Sequence, residues 1–395
     1  MSDYALLVLP IIAAVIAVAA GWLLGRFQLR RSSLSTHRPP NRDYYRGLGS
    51  LIDNKADDAV ESFIKALEVN SDTIPAYLAL ADLFRRKGEY DRAIEMHQTL
   101  LARTDLLHED FIRIQLSLAK DYKAVGLFER AEGLLQSVIT ENPRDEQRHL
   151  ARRQLAKLYE AQQEWELALK AAMKLPDSKR ADIAHEMANY ACELALVALD
   201  SNDSEVESWL KQALRLDPTC VRANLMWAQH RMKKHAWRGA VKHLKEVSDQ
   251  DTKMIPETLT MLSKCFTEMG NPDAYANYLD QCLAINPSTT AWMERAHLIE
   301  KESGITAASE FMVNALRKHP SLKGFHYLID LKLQESTSEE RDRLMILKEL
   351  TGQLVQSKPK YQCQQCGYES KQLYWQCPSC KTWDSTRLIQ GLEGE

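Results

Sequence analysis

Glycine and proline are scarce in this chain, 15 and 13 of 395 residues, and 45% of it is hydrophobic, a balance that excludes wholesale disorder. An excess of either charge is also lacking. The 51 basic and 54 acidic residues leave a net charge of −3, so the global balance points to no nucleic-acid or polyanion partner. Catalytic signatures are missing as well. His185-Glu186 is followed by Met187, Ala188 and Asn189 rather than completing H-E-x-x-H, Gly47-x-Gly49 stands without the rest of a dinucleotide fingerprint, and no Walker-type loop occurs. The 11 histidines are dispersed, and no acidic residue separates His230 from His235. The chain is therefore not expected to be an enzyme. Cysteine is sparse and unevenly placed. Cys192, Cys220, Cys265 and Cys282 stand singly in helical segments and read as small core residues, whereas Cys363, Cys366, Cys377 and Cys380 cluster near the C-terminal end.

Residues 5–24, ALLVLPIIAAVIAVAAGWLL, carry no charge, and at about 1.5 Å per residue they cover a bilayer core of roughly 30 Å. Pro10 lies near the start of this run, where a lost backbone donor matters least, and Tyr4 and Trp22 sit where interfacial aromatics anchor a span. A cleaved signal peptide is the competing reading, because Ala17-Val18-Ala19 resembles a cleavage site. Such a peptide carries positive charge ahead of its apolar core, whereas here only Asp3 precedes it and Arg26, Arg30, Arg31, Arg38 and Arg42 follow. The flanks predict an uncleaved anchor over residues 1–25, a basic juxtamembrane linker over 26–39 and the bulk of the chain in the cytoplasm. The five arginines act first as topology signals and form only a weak patch for anionic headgroups.

The middle of the chain repeats itself at about the 34-residue tetratricopeptide period. Residues 221–254 show it most clearly, with Trp227-Ala228, Arg231, Trp237, Ala240, Leu244 and Val247. Residues 74–107 carry Leu80-Ala81, Phe84, Gly88, Tyr90 and Ala93, and residues 112–145 carry Leu118-Ala119, Tyr122, Gly126, Phe128, Ala131 and Pro143. Further copies appear as Leu155-Ala156, Tyr159, Trp165, Ala168 and as Ala308, Met312, Ala315, Pro320. An initial copy shows Ala59, Phe63 and Ala66, and weaker ones end at Pro218 and Pro287. Two antiparallel helices approach closely where side chains are small, and the large residue beside each small one fills the adjoining groove. One hairpin cannot bury its apolar faces alone, so a stacked superhelix of about eight units is predicted over 40–320, with irregular spacing near 108–111 and 146–148. Residues 321–356 read as one more, divergent helical pair. Such an array offers a curved surface to another protein. The basic runs Arg85-Arg86-Lys87 and 231–238 read as solvated helix ends, with partner contact as the alternative.

The cysteine cluster reads C-x2-C-x10-C-x2-C over 363–380. Two residues between cysteines let both thiolates of a tight turn face one ion, and Gly367 lets the backbone curl so that amides point at sulfur. Residues 368–376 are long enough for a short hairpin joining the turns. Disulfides are the alternative, disfavoured in the reducing compartment that the arginines imply. Four sulfurs leave no open coordination position, so a structural ion is expected, and they suit zinc or a single iron equally. A domain of about 40 residues over 357–395 depends on such an ion to fold. Tyr361, Tyr368, Tyr374, Trp375 and Trp383 either stack on nucleobases or cover the metal and dock the ribbon on the helices. The charge around them is mixed, Lys358, Lys360, Lys371, Lys381 and Arg387 against Glu369, Asp384, Glu393 and Glu395, which favours docking.

An apolar anchor, tetratricopeptide repeats and a four-cysteine ribbon, in that order, resemble the lipopolysaccharide assembly protein B family of Gram-negative bacteria. The segments SKPKYQCQQCGYESKQLYWQCPSCKTWDSTRLIQGLEG at 357–394, LFRRKGEYDRAIEMHQTLL at 83–101 and AHEMANYACELAL at 184–196 carry the resemblance, which runs the length of the chain. It implies a mainly α fold with a small β-rich rubredoxin-like domain, and four metal ligands at Cys363, Cys366, Cys377 and Cys380. It further implies a single-pass inner-membrane protein with a periplasmic N-terminus. Its cytoplasmic region would limit lipopolysaccharide synthesis by promoting degradation of the lipid A pathway deacetylase by a membrane-bound ATP-dependent metalloprotease. A general scaffold for lipopolysaccharide-assembly proteins is one alternative, and a nucleic-acid-binding ribbon on a helical array is another. The sequence departs from rubredoxin in its short spacer between the knuckles and in Lys381, where glycine follows the last cysteine.

Overall fold

A computed structural model describes residues 42–395 apart from 54, 70–73, 142–143 and 200–202. Among the described residues no helix is long and apolar enough to cross a membrane, and the anchor and linker expected over 1–39 lie outside them. Nineteen α-helices are described. They begin with α1 (Arg42–Ile52), α2 (Ala56–Val69), α3 (Ile74–Lys87), α4 (Tyr90–Leu101), α5 (His108–Ala124), α6 (Phe128–Thr140) and α7 (Asp145–Ala161). Next come α8 (Trp165–Met173), the short α9 (Asp177–Ala181), α10 (Ala184–Ala198), α11 (Asp203–Leu216), α12 (Val221–Lys233) and α13 (Trp237–Gln250). After a 3₁₀ turn at Thr252–Met254 come α14 (Ile255–Glu268), α15 (Pro272–Ile285), α16 (Thr289–Ser303), α17 (Ile305–Lys318), α18 (Leu322–Glu335) and α19 (Ser338–Ser357). The fold is mainly helical and of the tetratricopeptide type. Helix α9, inserted between α8 and α10, has no counterpart in the sequence repeat.

The repeat has a local cause at the turns. Backbone N–H groups of Glu89, Leu127, Glu164, Ala236 and Asn271 donate to the carbonyls of Phe84, Tyr122, Tyr159, Arg231 and Phe266, at 2.8, 2.8, 2.9, 2.9 and 3.1 Å. This is the six-to-one bond of a Schellman cap, and it requires a left-handed residue just before the donor. That residue is Gly88, Gly126 and Gly270 in three turns, but Gln163 (φ 62°) and His235 (φ 56°) in the other two. The paired small residues Ala81 and Ala93, Ala119 and Ala131, and Ala228 and Ala240 are all buried. At three helix starts a side chain caps as well: Asn271, Ser288 and Ser321 accept from the amides of Ala274, Ala291 and Gly324 at 3.2, 3.3 and 3.4 Å.

The described residues divide into two compact units, one up to residue 158 and the other over 159–395. In the first, Phe63 lies so close to Gly47 that a Cβ there would meet its ring at 2.8 Å, which explains the glycine at position 47 in α1. Asp121, wholly buried, sits between His97 Nδ1 at 2.5 Å and Arg85 Nη1 at 2.6 Å, so one arginine of the basic run at 85–87 serves the interior. In the second unit the core runs from Leu225 to Leu298 and includes Cys265 and Cys282, while Cys192 and Cys220 are buried in a neighbouring alanine-rich cluster. Leu373 and Trp375 pack on the larger cluster, so the C-terminal segment shares its interior with the helices.

That segment holds a three-stranded antiparallel sheet of order β2-β1-β3, with β1 Tyr361–Cys363, β2 Glu369–Ser370 and β3 Thr386–Leu388. Tyr361 faces Ser370 on one side and Leu388 on the other. The hairpin expected within 368–376 does not form. Instead each knuckle is itself the turn of a hairpin, the first between β1 and β2, the second inside the isolated bridge of Gln376 with Trp383.

Candidate metal centre and its docking surface

The two cysteine turns repeat each other residue for residue. Gly367 N–H donates to the Cys363 carbonyl at 2.9 Å, as Lys381 N–H does to that of Cys377 at 2.9 Å. Cys363 N–H donates to the Tyr368 carbonyl at 2.8 Å and Cys377 N–H to the Thr382 carbonyl at 3.0 Å. The fifth residue of each turn is left-handed, Gly367 with φ 76° and Lys381 with φ 58°, so the lysine that departs from the rubredoxin pattern keeps the glycine's backbone conformation.

These turns bring together Cys363, Cys366, Cys377 and Cys380, whose sulfurs all lie within 4.8 Å of one another. The Sγ atoms of Cys363 and Cys380, and those of Cys366 and Cys377, are 3.7 Å apart. A tetrahedral ion with metal–sulfur bonds of about 2.3 Å has sulfur–sulfur edges of roughly 3.8 Å, so the arrangement fits a single ion. Ser385 Oγ lies 3.2 Å from Cys363 Sγ and Thr382 Oγ1 lies 3.3 Å from Cys380 Sγ, a hydroxyl beside one sulfur of each turn. Burial opposes ionisation at Cys363, but the Ser385 hydroxyl and the amides of Cys366 and Gln365 outweigh it and hold the thiol at about 6. Burial pushes Cys377 the other way, to about 11, a cost that a coordinated cation removes. An ion held here would cross-link two hairpins and leave no position for a reacting water.

The aromatic residues beside the knuckles divide in role. Tyr361 and Trp383 are buried and Trp375 half-buried, whereas Tyr368 and Tyr374 stay exposed. Trp383 meets Trp165 and Tyr190 edge to face, with centroids 6.0 and 6.2 Å apart. Its Nε1 donates to Glu160 Oε1 at 3.3 Å, and Gln376 Nε2 donates to the same oxygen at 2.9 Å. The Tyr190 hydroxyl donates to the other Glu160 oxygen. Arg222, buried, lies 5.9 Å from the Trp375 ring and 5.8 Å from that of Trp383. Tyr361, Trp375 and Trp383 are thereby committed to the helices, while Tyr368 and Tyr374 remain on the surface.

Five further links fasten the ribbon. Asp384 lies 2.5 Å from His185 Nε2 and accepts from Asn189 Nδ2 at 2.8 Å, and His185 Nδ1 lies 2.9 Å from Asp217. Hydrogen bonding to Asp384 raises His185 to about 9, against a smaller opposing effect of burial. The Tyr361 hydroxyl donates to Glu257 at 2.6 Å, and Arg387 Nε pairs with Asp251 at 3.0 Å. Beyond β3, Leu322 N–H donates to the Leu392 carbonyl at 2.8 Å, and the Glu395 carboxylate accepts from the Thr290 amide at 2.8 Å and from Lys323. None of Glu160, His185, Asp217, Glu257 or Asp251 is a site residue in the sequence reading. Glu160 leaves one trace there, its place directly after Tyr159 of a repeat copy. His185 is visible only as half of a failed metalloprotease motif.

Tetratricopeptide helices that carry a docked four-cysteine ribbon define a repeat scaffold with a rubredoxin-type metal domain. Family models agree: one for the rubredoxin metal binding domain matches residues 361–387, and one for the tetratricopeptide repeat matches residues 76–109. Lipopolysaccharide assembly protein B of Escherichia coli K12 is 34% identical over 400 residues, and its Haemophilus influenzae counterpart is 31% identical over 402, with 100% of both chains covered in each case. The chain belongs to the lipopolysaccharide assembly protein B family. Among solved structures it is similar to the C-terminal part of a TPR repeat-containing protein from Cytophaga hutchinsonii, at 14% identity and TM-score 0.42, covering 64% of this chain and 98% of that one.

Proposed function

We propose that this protein is a membrane-tethered adaptor in lipopolysaccharide assembly, which promotes degradation of the lipid A pathway deacetylase by a membrane-bound ATP-dependent metalloprotease. The observation that carries the reading is similarity over 100% of both chains to proteins named for lipopolysaccharide assembly. A repeat scaffold supports it, since such arrays present surfaces to other proteins and bring no chemistry of their own. Cys363, Cys366, Cys377 and Cys380 hold one structural ion, zinc or iron, that fixes the ribbon on the helices. The uncharged run at 5–24 and the arginines after it support an inner-membrane anchor with a periplasmic N-terminus. Tethering confines adaptor, substrate and protease to one thin layer and raises their effective concentration without new contacts.

Replacing residues 1–25 by a soluble tag tests this. The deacetylase should then persist after synthesis is stopped, even if the untethered protein still captures it. Unchanged turnover of the deacetylase would overturn the reading.

A further inference from the structure

In the first unit a groove of about 290 Å³ lies between helices α5, α6 and α7. Its floor is apolar, formed by Ala119, Leu135 and Leu158, and Leu150 stands at its rim, 44% exposed. Its walls carry one sign of charge. Lys120 and Lys123 from α5 face the groove beside Arg153 and Lys157 from α7, and among the described residues no carboxylate lines it. In a chain whose net charge is only −3, this is a local concentration of cations on an apolar bed. Lys120, an exposed residue, is lowered from the ordinary lysine range first by partial burial and then by Arg85, against an opposing pull from Asp121. Gln154 stands in the same wall, with both atoms of its amide shielded from water and without a hydrogen-bond partner. Such an orphaned carboxamide costs stability. After a turn of its side chain it can pair with a peptide group, which offers both a carbonyl and an N–H. A phosphate offers acceptors alone and would leave the carboxamide oxygen unsatisfied.

We propose that this groove binds an acidic linear peptide segment of a partner protein, with one apolar side chain on the leucine floor and flanking carboxylates against Lys120 and Arg153. The proposal rests on the adaptor reading and deepens it by naming the chemistry of the captured segment. The apolar anchor supplies burial, while the basic walls supply register and speed of encounter.

The full-length protein in detergent, titrated into a fluorescein-labelled peptide of Asp and Glu flanking a single Leu, tests it by anisotropy. Saturable binding is expected. It should weaken about tenfold or more for Lys120→Glu with Arg153→Glu, and comparably when the peptide's Leu is replaced by Ser. Both changed residues are exposed, so the thermal melt should stay as in the parent, and Leu150→Ser provides a second variant that removes the rim contact without reversing charge. Equal affinity for the charge-reversed protein, or equal affinity for the Ser peptide, would overturn the proposal. So would a Lys120-dependent association with anionic phospholipid vesicles in the absence of peptide binding. Deacetylase turnover in cells is read separately, and a null result there overturns the adaptor reading while leaving peptide binding intact.

Discussion

Trp383 of the ribbon and Glu160 of helix α7, 223 residues apart in the chain, meet through an indole N–H donated to a carboxylate at 3.3 Å. Trp383 is also the bridge partner of Gln376, the residue before Cys377, so the docking contact and the second knuckle share one short backbone segment. The ring is 6% exposed, and truncating a tryptophan so enclosed costs about 3–5 kcal/mol. Trp383→Ala is therefore expected to lower the melting temperature of the helices as well as of the ribbon. Glu160→Leu should cost about 1–3 kcal/mol, because it leaves the Trp383, Gln376 and Tyr190 donors without an acceptor. Calorimetry of both variants checks this, and a helical transition unmoved by Trp383→Ala would show that the ribbon does not stabilise the array.

Metal removal should act on the same surface from the other side. Four thiols held at tetrahedral spacing, with Cys363 and Cys377 buried and Cys366 exposed, have no apolar core of their own to fall back on, so chelation is expected to melt residues 361–388. Far-UV circular dichroism should change little, since the strands are short, while amide exchange accelerates across 361–388 and tryptophan emission shifts to the red. Cys377→Ser with Cys380→Ser should reproduce that pattern without chelator. Unchanged exchange protection after the ion is stripped would refute a metal-dependent ribbon.

The legible and the hidden parts of this molecule differ in the range of the interactions that encode them. The Tyr122, Gly126, Phe128, Ala131 pattern is local, because a single turn needs its left-handed residue and its small neighbour within ten positions, and C-x2-C needs only four. The repeat and the knuckles were therefore readable from spacing. The His185–Asp384 and Tyr361–Glu257 pairs each join segments more than a hundred residues apart, and no periodicity marks either end. Docking as such was favoured by the mixed charge around the knuckles, but its partners became visible only once the helices had placed Glu160, His185 and Glu257 on one surface. The hairpin expected inside 368–376 failed for a local reason, since each knuckle already supplies the reversal that a separate turn would have provided.

His185 makes part of the docking pH-dependent, and the sign is fixed by its raised value. A histidine held at about 9 in the folded protein against an ordinary value of 6.5 contributes stability that is complete below about pH 6.5 and is lost as pH climbs towards 9. The groups facing it are the Asp384 and Asp217 carboxylates, with the Asn189 amide bonded to Asp384 alongside. The side chain is 45% exposed, so the effect should be modest and salt-sensitive. Exchange protection of residues 384–388 is expected to fall between pH 6.5 and 9 in the parent and to stay flat over that interval in His185→Gln. A parallel decline in both proteins would assign the pH dependence elsewhere.

Lys381 should repay replacement by glycine. Its φ of 58° is the one that Gly367 supplies at the matching place in the first knuckle, and a residue with a Cβ carries about 1–2 kcal/mol of steric cost there. Glycine offsets part of that gain through its greater freedom in the unfolded chain, by about 0.5–1 kcal/mol, so Lys381→Gly is expected to stabilise the ribbon by up to about 1 kcal/mol. The same reasoning applies to Gln163 and His235, which stand where Gly88, Gly126 and Gly270 serve the other turns. The converse change, Gly126→Val, adds a Cβ that meets no atom within 4 Å and should nevertheless destabilise, because the backbone conformation alone penalises a branched side chain. Denaturant unfolding of the four variants separates strain from packing: glycine at 163, 235 and 381 raising the midpoint while valine at 126 lowers it would locate the cost in φ. A loss of stability for Lys381→Gly would mean that the lysine side chain makes a contribution to the knuckle larger than the strain it imposes.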